Sequence, residues 1–440
     1  MTQRSIFRKI LTFSAIFIMS FFLIDAGQIR KTARPDQGSA AEYAPGEILV
    51  KFKPDVPTSL REAVLASSET RAVRRLSRLD VFVVRIPDDA SVEELVYVFQ
   101  RNPHVQYAEP NYLCRASVTP NDLLFKYQYG LSNSGQMIGT VPGSPQGKPS
   151  ADIKAPQAWE ETTGTAEVVI AILDSGVDFG HPDLKTKLVS TGRDFVNNDL
   201  DATDDYFHGT EVAGIAAAAT NNNEGIAGVA WNARILPVKV LNAGGVGTTD
   251  QVADGIRWAA EQGAQILNLS LGADAPSQTL RNAVQFAFEK GCLLVAAAGN
   301  TGGAVQFPAA YDTFVLAVAA TDYNDVRSST SNFGAEIDVA APGVQILSTV
   351  PTWLLGPSLL PYRYDNGTSL AAPHVAGLAA LLKGRKPWLK PAEIMEIIRL
   401  SADDVNSAVY PGKDEYIGYG RINMERALVP LKLPKDTPIR

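Results

Sequence analysis

Apolar positions in this chain follow three rhythms in succession. From Ile10 to Ile24 they run almost unbroken, with only Thr12, Ser14 and Ser20 between them. From Glu47 they alternate with polar positions, as in Glu47-Ile48-Leu49-Val50-Lys51-Phe52 and Val81-Phe82-Val83-Val84-Arg85-Ile86, which read as strands. From Val168 onward, short continuous Val/Ile/Leu runs take turns with segments of helical spacing. Each rhythm predicts a different kind of structure.

The first has Arg4, Arg8 and Lys9 before it and Asp25-Ala26-Gly27 after it. Charged start, apolar middle and small-residue exit are the parts of a secretory signal peptide, which we place at 1–27. Fifteen apolar-rich residues fall short of the roughly 20 that a spanning helix needs. A secreted product, released or held at the envelope, is therefore expected, with an uncleaved anchor as the alternative. Residues 28–42, polar and carrying Pro35, Gly38 and Ser39, read as a linker.

The alternating region adds a helix at Ser59–Ser67, a weak strand at Ala72–Leu76, and a short strand at Val105–Ala108. Between the last two strands, Ser91-Val92-Glu93-Glu94-Leu95 resembles a capping box opening a helix to about Arg101. The order βαββαβ over 43–115 predicts a small ferredoxin-like α+β unit with no cluster of catalytic residue types. Residues 116–150, rich in Pro, Gly, Asn and Ser, break the composition. Beyond them we expect strands at Val168–Leu173, Arg234–Leu241, Ile266–Leu269, Leu293–Ala297 and Val315–Ala319. Helices are expected at Gly209–Ala219, Thr249–Gln262, Ser277–Lys290, Ser369–Lys383 and Pro391–Leu400. Continuous apolar strands need both faces covered, so 116–430 is predicted to be one α/β domain, a doubly wound, mostly parallel sheet with helices on both faces. A tail, 431–440, follows.

Composition narrows the partners. A formal charge of -7 and a pI near 5.3 leave no basic stripe for nucleic acid or an anionic membrane. Cys114 and Cys292 are the only cysteines, which excludes a disulfide scaffold and a cysteine zinc site. The only histidines are His104, His181, His208 and His374, a short list for a general base.

Polar residues end several of the apolar runs. Asp174 follows Val168-Val169-Ile170-Ala171-Ile172-Leu173, His208 opens a small-residue helix, and Asn300 closes Leu293-Leu294-Val295-Ala296-Ala297-Ala298-Gly299. Ser369 stands at the start of an Ala/Leu-rich helix. Alone, it reads as well as a helix cap as a nucleophile. In parallel sheets the sites form at the carboxyl ends of the strands, which gathers these residues at one edge. Acyl transfer needs a hydroxyl, an imidazole to take its proton, a carboxylate to orient the imidazole, and donors waiting for the oxyanion. Ser369, His208, Asp174, and Asn300 with the Ser369 amide fill those roles.

The blocks Asp174-Ser175-Gly176, His208-Gly209-Thr210 and Gly367-Thr368-Ser369-Leu370-Ala371-Ala372-Pro373-His374-Val375-Ala376-Gly377, in that order, resemble the signatures of the subtilisin-like serine peptidases. The resemblance runs from about Pro120 to Ala427 and implies a serine endopeptidase acting on proteins or peptides. It implies that Ser270-Leu271-Gly272 and Gly245-Val246-Gly247 flank an extended substrate strand. Thr249 and Val252 then line S4, and Ala297, Ala298 and Gly299 wall S1, with Gln306 near its base before a cis-proline at Phe307-Pro308. No acidic residue stands at the matched S1 positions, so apolar or uncharged side chains are expected there.

The same resemblance implies a structural calcium site with Asp122, Asp183, the Asn222 side chain and the carbonyls of Ala219, Glu224 and Ile226 as ligands. No cofactor is implied for the chemistry itself. The N-terminal unit is similar to subtilase propeptides, intramolecular chaperones and inhibitors, which implies a monomeric zymogen and self-cleavage between Leu113 and Thr119, beside Cys114. Two positions depart from the pattern: Glu211 stands where many relatives carry a second histidine, and Trp231 where proline is common. His181 and His374 are expected to be structural. A catalytically silent, subtilase-like binding protein is the alternative function. A nucleotide-binding protein is disfavoured because no strand runs into G-x-G-x-x-G with an acidic partner.

Overall fold

A computed structural model of the chain describes residues 43–113, 118–139, 143–189, 192–354 and 360–429. The signal peptide, the first linker, Cys114 with most of the expected cleavage segment, and the tail lie outside them. The described residues fall into two compact units, one within 1–115 and one within 116–440.

In the first unit the elements are β1 (Tyr43–Phe52), α1 (Thr58–Ser67), β2 (Arg71–Leu76), β3 (Val81–Arg85), α2 (Val92–Gln100) and β4 (Val105–Tyr112). They form an antiparallel sheet of order β2-β3-β1-β4, the expected ferredoxin-like arrangement. Ile48, Val50 and Phe52 of β1 point inward at every second position and pack with Val64, Leu65, Val92 and Phe99 of the helices. The cap on α2 forms as its sequence suggests, with Ser91 Oγ accepting from the Glu94 amide at 3.1 Å. Strand β2 lies at the sheet edge with Arg71, Arg74 and Arg75 exposed, charges of the kind that keep an edge from pairing with another chain.

The second unit contains α3 (Ala155–Glu161), β5 (Val169–Asp174), β6 (Arg193–Asp194), α4 (His208–Ala217), β7 (Arg234–Lys239), α5 (Thr249–Glu261) and β8 (Ile266–Leu269). It continues with α6 (Gln278–Glu289), β9 (Leu293–Ala297), β10 (Val315–Thr321), β11 (Val339–Pro342), β12 (Ile346–Thr349), β13 (Tyr362–Asp365), α7 (Thr368–Arg385), α8 (Pro391–Ser401) and α9 (Met424–Leu428). Seven strands make one parallel sheet in the order β11-β10-β9-β8-β5-β7-β6. Residues along β5 alternate between two cores: Ile170 and Ile172 face Val212, Val375 and Leu378, whereas Ala171 and Leu173 face Val252, Ile256 and Leu280. Both faces are thus covered, which is why these strands are apolar throughout. Helix α7 has no polar face over most of its length because it lies inside, and Gly377 lets it approach Val229 so closely that a Cβ there would sit 2.5 Å from the Val229 Cβ.

The chain runs from β5 to β7 on one side and then crosses to β8 on the other, so the strand order reverses next to β5. Crevices open at such reversals. The five expected strands and five expected helices of this unit are present, two strands with the expected bounds and the other elements with ends displaced by at most two residues, the usual ambiguity of element boundaries. Elements without an expectation are α3, α9, the two-residue β6, the short β11, and the antiparallel β12–β13 pair.

Candidate active site

Asp174 is the last residue of β5, fully buried, and both of its carboxylate oxygens lie 2.9 Å from His208 Nδ1. His208 is the first residue of α4 and keeps a fifth of its side chain exposed. Burial disfavours its charge, but the Asp174 carboxylate, by charge and hydrogen bond, together with Glu211 and Asp204, outweighs that and pushes the imidazole up to about 9. The imidazolium that forms when this ring takes a proton is thereby stabilised by the Asp174 charge and hydrogen bond.

What holds the histidine is a second carboxylate. Asp204 accepts from Ser175 Oγ at 2.8 Å, from the Tyr206 and Phe207 amides, and from both the amide and the hydroxyl of Thr210. Ser175 Oγ in turn accepts from the Gly209 amide at 3.0 Å. The amides of Phe207, Gly209 and Thr210 at the start of α4 are thus occupied, and the loop after β5 is fastened to the helix that carries His208. Gly209 is required there, since a Cβ would meet the Gly176 carbonyl oxygen at 2.0 Å.

Ser369 is the second residue of α7, after Gly367 at φ +154. Its hydroxyl donates to the Ser270 carbonyl at 3.3 Å, and Ser270 Oγ donates to the Ser369 carbonyl at 2.7 Å. The Asn300 Oδ1 accepts from the Thr368 amide (2.8 Å) and hydroxyl (3.1 Å), which turns its NH₂ toward Gly367 as a remaining donor. A cavity of about 410 Å³ is lined by His208, Ser369, Gly245, Val246, Gly247, Thr249, Val252, Ser270, Leu271 and Gly272, and also by Tyr206 and Leu280. Ala297, Ala298, Gly299 and Gln306 are not among its lining residues; they gather beside it, where a Cβ on Gly272 or Gly299 would meet Gln306 Oε1 at 2.5 or 2.6 Å. The Phe307-Pro308 peptide is cis.

Sequence reasoning missed Tyr206, Asp204, Ser175, Thr368 and Asp274, whose carboxylate accepts from Gln306 Nε2 at 2.7 Å. The pair Asp204-Asp205 so close before His208 was the one local signal for the first two. His374 faces away from this edge: it is buried, its Nδ1 lies 2.8 Å from the Leu370 carbonyl, and burial pushes its pKa down to about 4.

At the far end of α4, Asp122 and Asp183 are both buried. Asp183 accepts from Asn222 Nδ2, the Ile226 amide and the Tyr362 hydroxyl, at 2.9–3.0 Å. Asp122 accepts from the Asn221 amide at 2.8 Å, but its Oδ1 has no partner. Among the described residues, the Ala219, Glu224 and Ile226 carbonyls accept no hydrogen bond either. Burial, with the charge of Asp183, raises the Asp122 pKa. Two carboxylates and surplus neutral oxygens fit a hard cation such as calcium, although no group of three or more His, Cys, Asp or Glu side chains among the described residues is arranged to hold a metal ion. His181 supports the loop, with Nδ1 accepting from the Asp183 amide at 3.1 Å and its ring edge-on to Tyr362.

Against known proteins, residues 165–420 match the model of the subtilase family, and residues 30–111 match that of the fervidolysin N-terminal prodomain. A thermophilic serine proteinase of Bacillus sp. (strain AK1) is 41% identical over 439 residues, 96% of this chain and 99% of that protein. Thermitase of Thermoactinomyces vulgaris is 45% identical over 278 residues, 63% of this chain and 93% of its own. The crystal structure of fervidolysin from Fervidobacterium pennivorans, described as a keratinolytic enzyme related to subtilisin, superposes with a TM-score of 0.59 at 29% identity, covering 91% of this chain and 63% of that one. The chain belongs to the subtilase family and is a subtilisin-like serine protease with an N-terminal prodomain.

Proposed function

We propose that Ser369 is the nucleophile, His208 its general base, and Asp174 the carboxylate that holds the imidazole in the tautomer with its proton on Nδ1. The observation that carries this is the pair of 2.9 Å contacts between His208 Nδ1 and Asp174, at the rim of the cavity that Ser369 also lines. A rotation about χ1 takes the Ser369 hydroxyl from the Ser270 carbonyl toward Nε2, the kind of tightening expected when substrate arrives. Attack on a peptide carbonyl then gives a tetrahedral oxyanion facing the Ser369 amide and Asn300 Nδ2. The imidazolium next protonates the leaving amine, and water repeats the sequence on the acyl-enzyme.

In this reading the substrate lies extended between Gly245-Val246-Gly247 and Ser270-Leu271-Gly272, adding a strand by main-chain hydrogen bonds. Thr249 and Val252 form S4. S1, beside Ala297, Ala298, Gly299 and Gln306, prefers uncharged side chains, because the Asp274 carboxylate nearby is engaged by the Gln306 amide. Asp122, Asp183, Asn222 and the Ala219, Glu224 and Ile226 carbonyls hold a structural calcium. The chain is exported by residues 1–27, kept silent by its unit at 43–115, and released by self-cleavage between Leu113 and Thr119 as a monomeric enzyme of residues 116–430. Among the described residues no helix is long and apolar enough to cross a membrane.

A fluorophosphonate probe tests the central claim. Wild-type protein should label on Ser369 and shorten itself on incubation, whereas Ser369→Ala should do neither. An unlabelled wild-type protein of unchanged length would leave the silent binding protein as the better reading.

A further inference from the structure

Glu211 stands one helical turn after His208 and is buried, with 1% of its side chain exposed. Its carboxylate accepts from Arg363 Nε at 2.7 Å. The Arg363 guanidinium also reaches Asp365 at 2.8 Å and lies over the Phe207 ring, 4.0 Å from its centroid. Phe207 directly precedes His208 and holds φ +131, a conformation that non-glycine residues rarely adopt and that surrounding contacts must maintain. Arg363 belongs to β13, whose last residue is Asp365, and the chain then runs through Asn366 and Gly367 to Ser369. Opposite Arg363 on β12, Ser348 donates its hydroxyl to the Glu211 carbonyl at 2.6 Å, and Thr349 donates to the Thr210 carbonyl at 2.7 Å.

We propose that the Glu211–Arg363 ion pair positions the catalytic base: it locks the Phe207-His208 turn of α4 to the strand that delivers Ser369, fixing imidazole and hydroxyl relative to each other. This rests on the peptidase reading above. Two elements from distant parts of the chain carry the reacting groups, and this pair is the charged link between them. The ionisable groups facing Glu211 are Arg363 and Asp365 of β13 and His208 of its own turn. Burial pushes the Glu211 carboxyl up to about 7 against the pull of Arg363, so the charge on Glu211 depends on its partner. A neutral side chain at position 211 would leave no negative charge for Arg363 to meet.

The test compares Glu211→Gln, Arg363→Gln and the double variant in the self-processed enzyme, with a chromogenic peptide substrate. Each single change should lower kcat about 10-fold with KM nearly unchanged, a fraction of what a full 1 Å misplacement costs. The double variant should be no worse than the poorer single one, because both remove the same link, whereas independent effects would multiply to about 100-fold. Glu211→Gln should also move the acid limb of the kcat/KM profile to lower pH, since His208 loses a neighbouring negative charge that favours its imidazolium. Variants that melt earlier but keep kcat and the limb would overturn the proposal, as would multiplicative losses. If Glu211→Gln does not fold, the part-exposed Arg363→Gln decides alone through its kcat-to-KM split. A wild-type protein without Ser369-dependent hydrolysis would instead sink the peptidase reading.

Discussion

The two ends of α4 carry polar clusters of opposite kinds. At the His208 end the helix offers free amides, and the chain meets them with carboxylates: Asp204 accepts five hydrogen bonds there, and Asp174 and Glu211 each have a cationic or imidazole partner. Beyond the Ala217 end, the carbonyls of Gly214, Ile215 and Ala216 are met by the amides of Ala218, Val229 and Ala230, and the chain adds the buried carboxylates of Asp122 and Asp183, which accept from the Asn221 and Ile226 amides. The first cluster is complete from the protein's own atoms, whereas the second keeps an Asp122 carboxylate oxygen without a partner. On the function proposed above, one end of the helix reacts and the other is closed by an ion.

The largest effect should come from breaking the complete end. His208→Ala should lower kcat about 10⁶-fold, the figure known for the corresponding loss in subtilisin, because a triad acts as a unit. Peptide hydrolysis checks it in calcium and in chelator, and the loss should be as deep in both. A loss that calcium partly restored would show that the two ends are not separate.

Next comes the incomplete end. With calcium at about 100 times its Kd the folded unit gains about 2.7 kcal/mol. For a unit of this size that moves Tm by about 4 °C, and a chelator should remove the shift. Asp122→Asn should abolish the difference between calcium and chelator in a melting scan. The sign without metal is sharper still. Burial raises the Asp122 pKa in the folded state, so without a cation its ionised form costs stability as pH rises through that titration, and the cost is absent in acid. In chelator at neutral pH, Asp122→Asn should therefore melt no lower than wild type, and above it if the carboxyl is ionised. A variant less stable than wild type in chelator would mean that Asp122 is satisfied by the protein itself, and the comparison would collapse.

How much of this was readable depended on sequence distance. Asp174, His208 and Ser369 each sit in a short continuous block at the end of an apolar run, so both residue and element are local information. Their supports are not local: Ser175 meets Asp204 across 29 positions, Asn300 meets Thr368 across 68, and Glu211 meets Arg363 across 152. Glu211 was visible as a departure, but nothing near it announced an arginine. In the fold, β5, β8 and β9 were legible because burial on both faces demands continuous apolar runs. Strand β11 was not, being four residues, Val339-Ala340-Ala341-Pro342, that end in proline. β12 and β13 pair only with each other, and only β12 is wholly buried, so neither shows the pattern of the main sheet.

The smallest effect tests whether the reactive end is held by many modest bonds rather than one. Ser175→Ala removes the hydroxyl that donates to Asp204 and accepts from Gly209. Asp204 keeps its other four donors, so the main cost is the Gly209 amide, buried with nothing to bond. A buried donor left unmatched costs about 1–2 kcal/mol, which a denaturant titration resolves. Because every partner involved is protein, the same loss should appear with calcium and with chelator. A loss that vanished in calcium would tie Ser175 to the ion-dependent end of the helix. A loss well above 3 kcal/mol would mean that the Asp204 cluster depends on this single hydroxyl, and that the reactive end is as fragile without its serine as the other end is without its cation.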